Sequence, residues 1–365
     1  MSTLTAADLA RYQRHLVLGE IGTAGQEKLK AARVLIVGAG GLGSPSALYL
    51  AASGVGTLGI VDGDTVDLSN LQRQVLYDTA DVGRAKAEVA RERLKALNPE
   101  LNIIAHDVEL TSTNVGELFA AYDVILDGTD RIGTRYLVND ACVLVGKPLV
   151  SAAIHRFEGQ AMTYVPGQGP CYRCLFPEPS TEIPNCATAG VLGVLPGVLG
   201  TLQATEAIKL IVGIGTPLVG RLLTYDALDL RFHEFTFRRR TDCAVCGDSP
   251  TINVPRDLER APQGLTRLSP QQLKARLEQD ATLIVVDVRE PHEFASGHLA
   301  GARNIPVNEL AGRIAELPAG CTPVFVCLSG ARSLAACTLA ANAGIEGPIQ
   351  LEGGLRAWDT DQLRT

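Results

Sequence analysis

The chain lacks a basic excess, an apolar leader and any uninterrupted apolar run long enough to cross a bilayer. Its 365 residues carry a formal net charge of −7, so no overall positive field draws in nucleic acid. The run Arg238-Arg239-Arg240 is a local exception and reads as a solvated strand end. MSTLTAADLARYQRH contains no apolar h-region of a secretory signal. The most hydrophobic window, residues 190–215, is broken by Pro196, Gln203, Glu206 and Lys209, and reads as a buried helix, not a membrane span. A cytoplasmic protein with neither nucleic acid nor membrane as partner is expected. Internal repeats and low-complexity tracts are also missing. So is a G-x-x-x-x-G-K-[ST] loop, which excludes a P-loop ATPase.

What remains is a soluble globular composition, 46% hydrophobic and 20% charged, in a chain long enough for two domains. The first part alternates strand and helix: RVLIVG, SPSALYLAASG, TLGIVD, GRAKAEVARERLKALNP, LNIIAHD, a helix near 111–121, DVILDGTD, a further helix and PLVSAAI. Such alternation predicts an α/β fold, a mostly parallel Rossmann-like sheet covered on both faces. RFEGQAMTYV, RLLTYDAL and LRFHEFTF follow without intervening helices and predict an antiparallel extension, hence a mixed sheet. The pattern breaks at the polar, proline-rich stretch 248–264. We therefore expect a first domain over 1–248, a linker over 249–264 and a smaller α/β domain over 265–365.

GAGGLG, Gly38 to Gly43, lies between a strand and a helix, where backbone N–H groups and a helix N-terminus attract phosphate. Asp62 ends the next strand, at the spacing where a carboxylate reaches ribose hydroxyls. Alone, this fits a dinucleotide fingerprint, so an NAD-dependent oxidoreductase is the starting alternative. VDGDTVDLSNLQRQ then adds Asn70 and Arg73, and Arg14, Lys86 and Asp130 extend the set. Three cations and a carboxylate at the end of DVILDGTD suit ATP reacting with a carboxylate. That nucleophile is already ionised, so the barrier is repulsion between an anion and a polyanion, relieved by cations and a metal ion.

Nine cysteines with no secretory signal point to a reducing compartment, where paired cysteines more often mean metal or catalysis than disulfides. Cys171-x-x-Cys174 and Cys243-x-x-Cys246 are complete pairs in Pro/Gly-flanked loops. Together they supply a tetrahedral zinc site closed by four thiolates, and therefore structural; a redox C-x-x-C is the rival for either pair alone. Cys186, ahead of a long apolar helix, is either a nucleophile at a helix N-terminus or a small buried residue. Cys327 opens CLSGAR after the strand PVFV, with Arg332 opening the next helix. A turn of this kind rings the sulfur with N–H donors and aims a helix dipole at it, stabilising a thiolate or a persulfide. The loop is shorter than the related phosphatase cradle, which suits sulfur better than phosphate. Cys142, Cys321 and Cys337 match no motif and read as packing residues.

From Arg11 to about Asp248 the chain resembles the MoeB/ThiF adenylyltransferases, relatives of ubiquitin-activating enzymes. The likeness is carried by RYQRHLVLGEIGTAGQEKLKAARVLIVGAGGLGSPSALYLAASGVGTLGIVDGDTVDLSNLQRQ. DVREPHEFASGHLAGARNIP, CLSGARS and GGLRAW are similar to the rhodanese domain over 265–365. The resemblance implies that ATP is bound by Gly41, Asp62, Ser69, Asn70, Leu71, Gln72, Arg73, Lys86, Asp130 and Arg131. It also implies that Asp130 holds Mg2+, that Arg14 acts across a homodimer interface, and that Zn2+ sits on the four paired cysteines. Cys327 becomes the persulfide carrier, with Cys186 forming or resolving a covalent intermediate; Asp287, Arg289 and His298 become structural. The implied partners are a ubiquitin-like sulfur-carrier protein ending in Gly-Gly and a sulfur donor such as a persulfide-bearing desulfurase or thiosulfate. The implied activity is adenylation of the carrier's terminal glycine followed by sulfur transfer to a thiocarboxylate. A non-catalytic scaffold with docking domains is the third reading.

Overall fold

The computed structural model describes residues 3–178, 190–258, 265–280, 282–318, 320–328 and 330–358. They fall into two compact units, Met1–Leu258 and Glu259–Thr365.

In the first unit, helices α1 (Ala6–Arg11), α2 (Gln13–Leu16) and α3 (Gly22–Ala31) precede strand β1 (Arg33–Val37). Then come α4 (Gly43–Ser53), β2 (Thr57–Val61), α5 (Lys86–Leu97), β3 (Asn102–His106), α6 (Val115–Ala120), β4 (Val124–Asp127), α7 (Ile132–Val145) and β5 (Leu149–His155). The unit continues with β6 (Glu158–Tyr164), α8 (Tyr172–Leu175), α9 (Leu195–Val212), β7 (Arg221–Asp226) and β8 (Arg231–Thr236). One sheet runs in the order β3-β2-β1-β4-β5-β6-β7-β8, parallel as far as β5 and antiparallel beyond it. The mixed sheet follows from the sequence: helices separate the first five strands, and a turn alone joins β5 to β6.

Strand β1 shows how both faces are closed. Val34 and Ile36 join a core with Leu50, Leu94 and Ala207, whereas Leu35 and Val37 join one with Phe119, Leu137 and Cys142. Side chains alternate across a strand, so an almost wholly apolar β1 is the signature of burial on both sides. The order reverses between β1 and β4, which leaves a crevice at their carboxyl ends. Helix α9 lies within the window 190–215 and buries Gln203 and Glu206 with partners. Gln203 Nε2 donates to Asp127 O at 2.7 Å, and Glu206 Oε2 accepts from Thr163 Oγ and Leu218 N. No helix among the described residues is long and apolar enough to cross a membrane.

The helix expected near 111–121 starts later, at Val115, after a turn in which Thr111 N–H donates to Asn114 Oδ1. Part of the expected linker is packed rather than free: Ile252 lies on the second core and Leu258 on the Tyr136–Tyr172 cluster.

The second unit contains β9 (Thr266–Leu268), α10 (Pro270–Gln279), β10 (Leu283–Asp287), α11 (Pro291–Ala295), β11 (Arg303–Asn304), α12 (Val307–Arg313), β12 (Thr322–Val326), α13 (Ala331–Asn342) and β13 (Ile349–Leu351). Its sheet order is β11-β10-β12-β13-β9, all parallel. Val324 and Val326 face one core, Phe325 and Cys327 the other, so Cys327 leaves the central strand already buried.

Candidate functional site

The glycine loop springs from the carboxyl end of β1 at the crevice. Gly43 is required there by close approach: a Cβ on it would lie 1.9 Å from Gly38 O. Gly38 itself has φ +87 and touches Gly128 at the end of β4. Asp62, expected to face ribose, spends one carboxylate oxygen on the loop. Ala39 N–H donates to Oδ2 at 2.8 Å, while Asp64 N–H donates to Oδ1 at 2.9 Å. Burial lifts this carboxyl above the ordinary range, against the pull of Lys86. Tyr77 supports the loop from beneath, its hydroxyl donating to Ala39 O at 2.8 Å.

The turn after β2 brings the next residues to the same edge. Asp67 accepts from Ser69 N–H, capping the single turn Leu68–Asn70, and Arg73 donates to Ser69 O at 3.1 Å. A Cβ on Gly41 would meet Arg73 Cγ at 3.7 Å and Pro196, at the start of α9, at 3.1 Å. Gln72 lies against Gly193. The stretch leading into α9 therefore covers the 72–73 turn. Cys186, farther back in that stretch, lies outside the described residues.

Lys86 opens α5 and is only 5% exposed, its ammonium 3.1 Å from Asp64 Oδ2. Opposite, buried Asp127 closes β4. It accepts from Thr129 N–H, Thr129 Oγ and Ser151 Oγ, with Arg135 Nε 3.5 Å away. This holds the turn that presents Asp130 and Arg131 to solvent, where Arg131 donates to Glu109 at 2.9 Å. The structure thus gathers Gly41, Asp62, 69–73, Lys86, Asp130 and Arg131 on connections leaving the carboxyl ends of β1, β2 and β4. Arg14 stands apart, exposed on α2, which packs on α1 and α3.

Sequence reasoning missed Asp64, the partner of Lys86, and Gln74. Gln74 is buried beside Gly40, and its Oε1 has no hydrogen-bond partner among the described residues. Both lie inside VDGDTVDLSNLQRQ, so residue type within that segment was the available signal.

Cys171, Cys174, Cys243 and Cys246 hold their sulfurs within 4.8 Å of one another. Cys171 Sγ is 3.7 Å from Cys243 Sγ, and Cys174 Sγ is 3.4 Å from Cys246 Sγ. A disulfide needs about 2.05 Å; four sulfurs at about 2.3 Å from one zinc ion stand about 3.8 Å apart. The donor set fits that ion. Beside one another, Cys174 pushes the Cys171 thiol up and Cys171 pulls the Cys174 thiol down. Cys174 lies within α8 rather than in a loop, and Arg240 N–H donates to its sulfur at 3.4 Å.

In the second unit, Cys327 is 1% exposed and its Sγ accepts from Gly330 N–H at 3.2 Å and Ser333 N–H at 3.3 Å. Helix α13 starts at Ala331, one residue earlier than expected, after Gly330 at φ +100. Gln350 Nε2 donates to Gly330 O at 2.7 Å and fixes the turn. Arg332 is clamped by Glu293, Nη1 donating to Oε2 at 2.6 Å and Nη2 to Oε1 at 2.8 Å. That bond holds the Glu293 carboxyl down at about 2. Arg289 is buried in a fork with Asp287 and donates to Gly297 O, and His298 stacks on Phe294 at 3.8 Å. Cys142 and Cys337 are buried, and burial pushes Cys337 up to about 12; Cys321 is half-buried.

Comparison with known proteins gives both units relatives. A model of the ThiF family matches residues 12–245, and one of the rhodanese-like domain matches residues 269–361. The chain is 45% identical to the probable adenylyltransferase/sulfurtransferase MoeZ of Mycobacterium tuberculosis (strain ATCC 25618 / H37Rv), over 98% of this chain and 94% of that one. It is 41% identical to the adenylyltransferase and sulfurtransferase MOCS3 of Aedes aegypti, over 98% and 88%. It is 54% identical to the sulfur carrier protein adenylyltransferase of Thermus thermophilus, over 68% and 94%. Among solved structures, E. coli MccB with ATP aligns at 26% identity and a TM-score of 0.59, covering 65% of this chain and 73% of that one. The chain belongs to the ThiF family, with a rhodanese-like domain as its second unit.

Proposed function

We propose that the chain adenylates the C-terminal glycine of a ubiquitin-like sulfur-carrier protein with ATP and then converts it to a thiocarboxylate with sulfur carried on Cys327. The observation that carries the reading is Lys86. A nearly buried ammonium, held at the crevice edge by Asp64, suits a polyphosphate; a nicotinamide site gives it no purpose.

The carrier's carboxylate attacks the α-phosphorus of ATP, forming acyl-adenylate and releasing pyrophosphate. Lys86 and Arg73, joined by the partner protomer's Arg14 in a homodimer, neutralise charge on the phosphates. The glycine loop donates N–H groups, and Asp62 fixes that loop. Asp130 would hold Mg2+, which supplies further charge neutralisation when bound. The four paired cysteines would hold Zn2+ and staple the segment after β6 to the one after β8. Cys327 receives a sulfane sulfur from a persulfide-bearing desulfurase or from thiosulfate. Its persulfide anion attacks the acyl-adenylate carbonyl and displaces AMP, leaving an acyl disulfide. A thiol, assigned here to Cys186, then attacks Cys327 Sγ. The thiocarboxylate leaves, and a disulfide between the two cysteines remains for an external thiol to reduce.

The test is exchange of radiolabelled pyrophosphate into ATP, with a Gly-Gly-terminated carrier and without it. Carrier-dependent exchange that disappears in Lys86→Ala supports the reading. Absence of exchange with every such carrier, together with tight NADH binding, refutes it.

A further inference from the structure

Arg332 stands next to Ser333, whose N–H donates to Cys327 Sγ at 3.3 Å, so its charge belongs to the surroundings of the sulfur. Glu293 raises Arg332 most, and the Cys327 thiolate adds to it. A lone arginine here would favour donors in proportion to their negative charge. It is not alone. The two-pronged bond from Glu293 cancels it, and both side chains are half-buried, which screens the pair less than open water does. The carboxylate is also preset by the start of α11. Glu290 N–H donates to Glu293 Oε2 at 3.0 Å, and the Glu290 carboxylate accepts from Glu293 N–H in return. Arg289, the other cation of this stretch, is spent on Asp287. Asp287, Glu290 and Glu293 therefore outnumber Arg289 and Arg332 by one, and no excess of positive charge awaits a sulfur donor from this stretch.

We propose that Glu293 is a specificity-determining residue for sulfur loading: by cancelling Arg332 it turns the Cys327 loop against doubly charged donors and towards donors of low charge, such as a persulfide. The proposal rests on the sulfur-transfer step argued above. Loading from thiosulfate forms a bond from Cys327 Sγ to the sulfane sulfur and expels sulfite. Loading from a persulfide, R–S–S−, forms the same bond and expels the thiolate R–S−. Either way Cys327 ends as its persulfide, and no oxidant or reductant is consumed. The donors differ in the charge they bring to the loop, two for thiosulfate and at most one for the persulfide sulfur. Freeing Arg332 adds one positive charge to the field the donor meets. Its effect compounds with each negative charge on the donor, at about threefold per charge in a partly screened setting.

The experiment uses the full chain with cyanide as acceptor, and reads the donor's kcat/KM from thiocyanate formation, which reports the loading step. Two donors of like shape are compared: thiosulfate, with two charges, and methanethiosulfonate, with one. Glu293→Gln is expected to raise kcat/KM about tenfold for thiosulfate and about threefold for methanethiosulfonate. Arg332→Gln should lower both, again more for thiosulfate. The double variant, Glu293→Gln with Arg332→Gln, returns to the parent's preference. A merely structural role for the pair moves both donors equally. Equal shifts therefore overturn the proposal, and so does a Glu293→Gln chain that uses thiosulfate no better than the parent. Fluorescence of Trp358, buried in the second unit, checks folding in each variant. If Glu293→Gln alone is unfolded, Arg332→Gln carries the same test with the opposite sign. A parent chain that loads Cys327 from neither donor, nor from glutathione persulfide, overturns the sulfur-transfer reading and this proposal with it. Loading without the charge-dependent shift overturns this proposal alone.

Discussion

Two strand–loop–helix turns in this chain, one after β1 and one after β12, have the form that offers backbone N–H groups to an anion. The loop after β1 is ringed by a nearly buried cation, Lys86, with Arg73 alongside Gly41, and its own carboxylate, Asp62, is turned inward to hold Ala39. The loop after β12 has a single cation in its helix start, Arg332, and that cation is spent on Glu293 in a two-pronged pair. Backbone donors alone do not decide what such a turn binds. Two cations at one loop, Lys86 in a single contact with exposed Asp64 and Arg73 bonded to a backbone oxygen, suit a polyanion, whereas an arginine neutralised by a two-pronged carboxylate and two N–H bonds to one sulfur suit a small, singly charged group.

Crossed substitutions would break this comparison most sharply. Lys86→Ala is expected to lower carrier-dependent pyrophosphate exchange by ~10²–10³ and leave sulfur loading of Cys327 intact, read by intact mass. Cys327→Ala should abolish thiocarboxylate formation with exchange unchanged. If either substitution removes both readouts, the two turns are not separate sites.

Metal removal sharpens the contrast from a third arrangement of sulfur. In the clamp, four thiols face one another, and an ion there leaves no position open for chemistry. Cys243→Ser should lose one zinc per chain, by elemental analysis, and cost the first unit several kcal/mol. Sulfur loading should survive, because Cys327 belongs to the other unit. Loss of loading on chelation would mean that the units depend on one another.

How far the sequence reached follows from the same features. GAGGLG, the C-x-x-C pairs and CLSGAR are legible because their geometry is set within a few consecutive residues. The strand alternation is legible because burial on both faces leaves nearly unbroken apolar runs. Pairings made across the fold were not: Glu293 meets Arg332 from 39 positions away and Asp257 meets Ser112 from 145. Neither residue differs, in its own neighbourhood, from a solvated acid. Asp62 shows a subtler limit, since its spacing predicts its place after β2 but not the use of its carboxylate to hold Ala39. Gln74 shows another, because an amide whose buried oxygen has no partner among the described residues becomes visible only once its surroundings are built.

Close approach gives a smaller effect. Gly43→Ala would force a Cβ to 1.9 Å from Gly38 O, and Gly354→Ala one to 2.5 Å from Cys327 O. Each should cost about 1–3 kcal/mol in its own unit and reduce only that unit's half-reaction, measured by denaturant unfolding beside the two assays. Trp358, the single tryptophan, is buried in the second unit, so its fluorescence reports that unit directly.

The smallest effect is a matter of sign. Glu293 is held near 2 by Arg332, below the ordinary value of 4.5. A carboxyl depressed in the folded state stabilises it above the unfolded value, and that contribution is lost as pH falls through the folded one. The Trp358 transition should therefore weaken between about pH 4.5 and 2, by about 1–2 kcal/mol once partial solvent exposure is allowed for. Glu293→Gln should remove that slope. Asp62 runs the other way. Burial raises it, so its contribution is complete below the unfolded value and is lost as pH rises through the folded one. The stability advantage of the parent over Asp62→Asn should shrink as pH increases. Opposite slopes from the two carboxylates are what loops built for different anions require: one acid is kept charged by its arginine, and the other carries a charge its own burial disfavours.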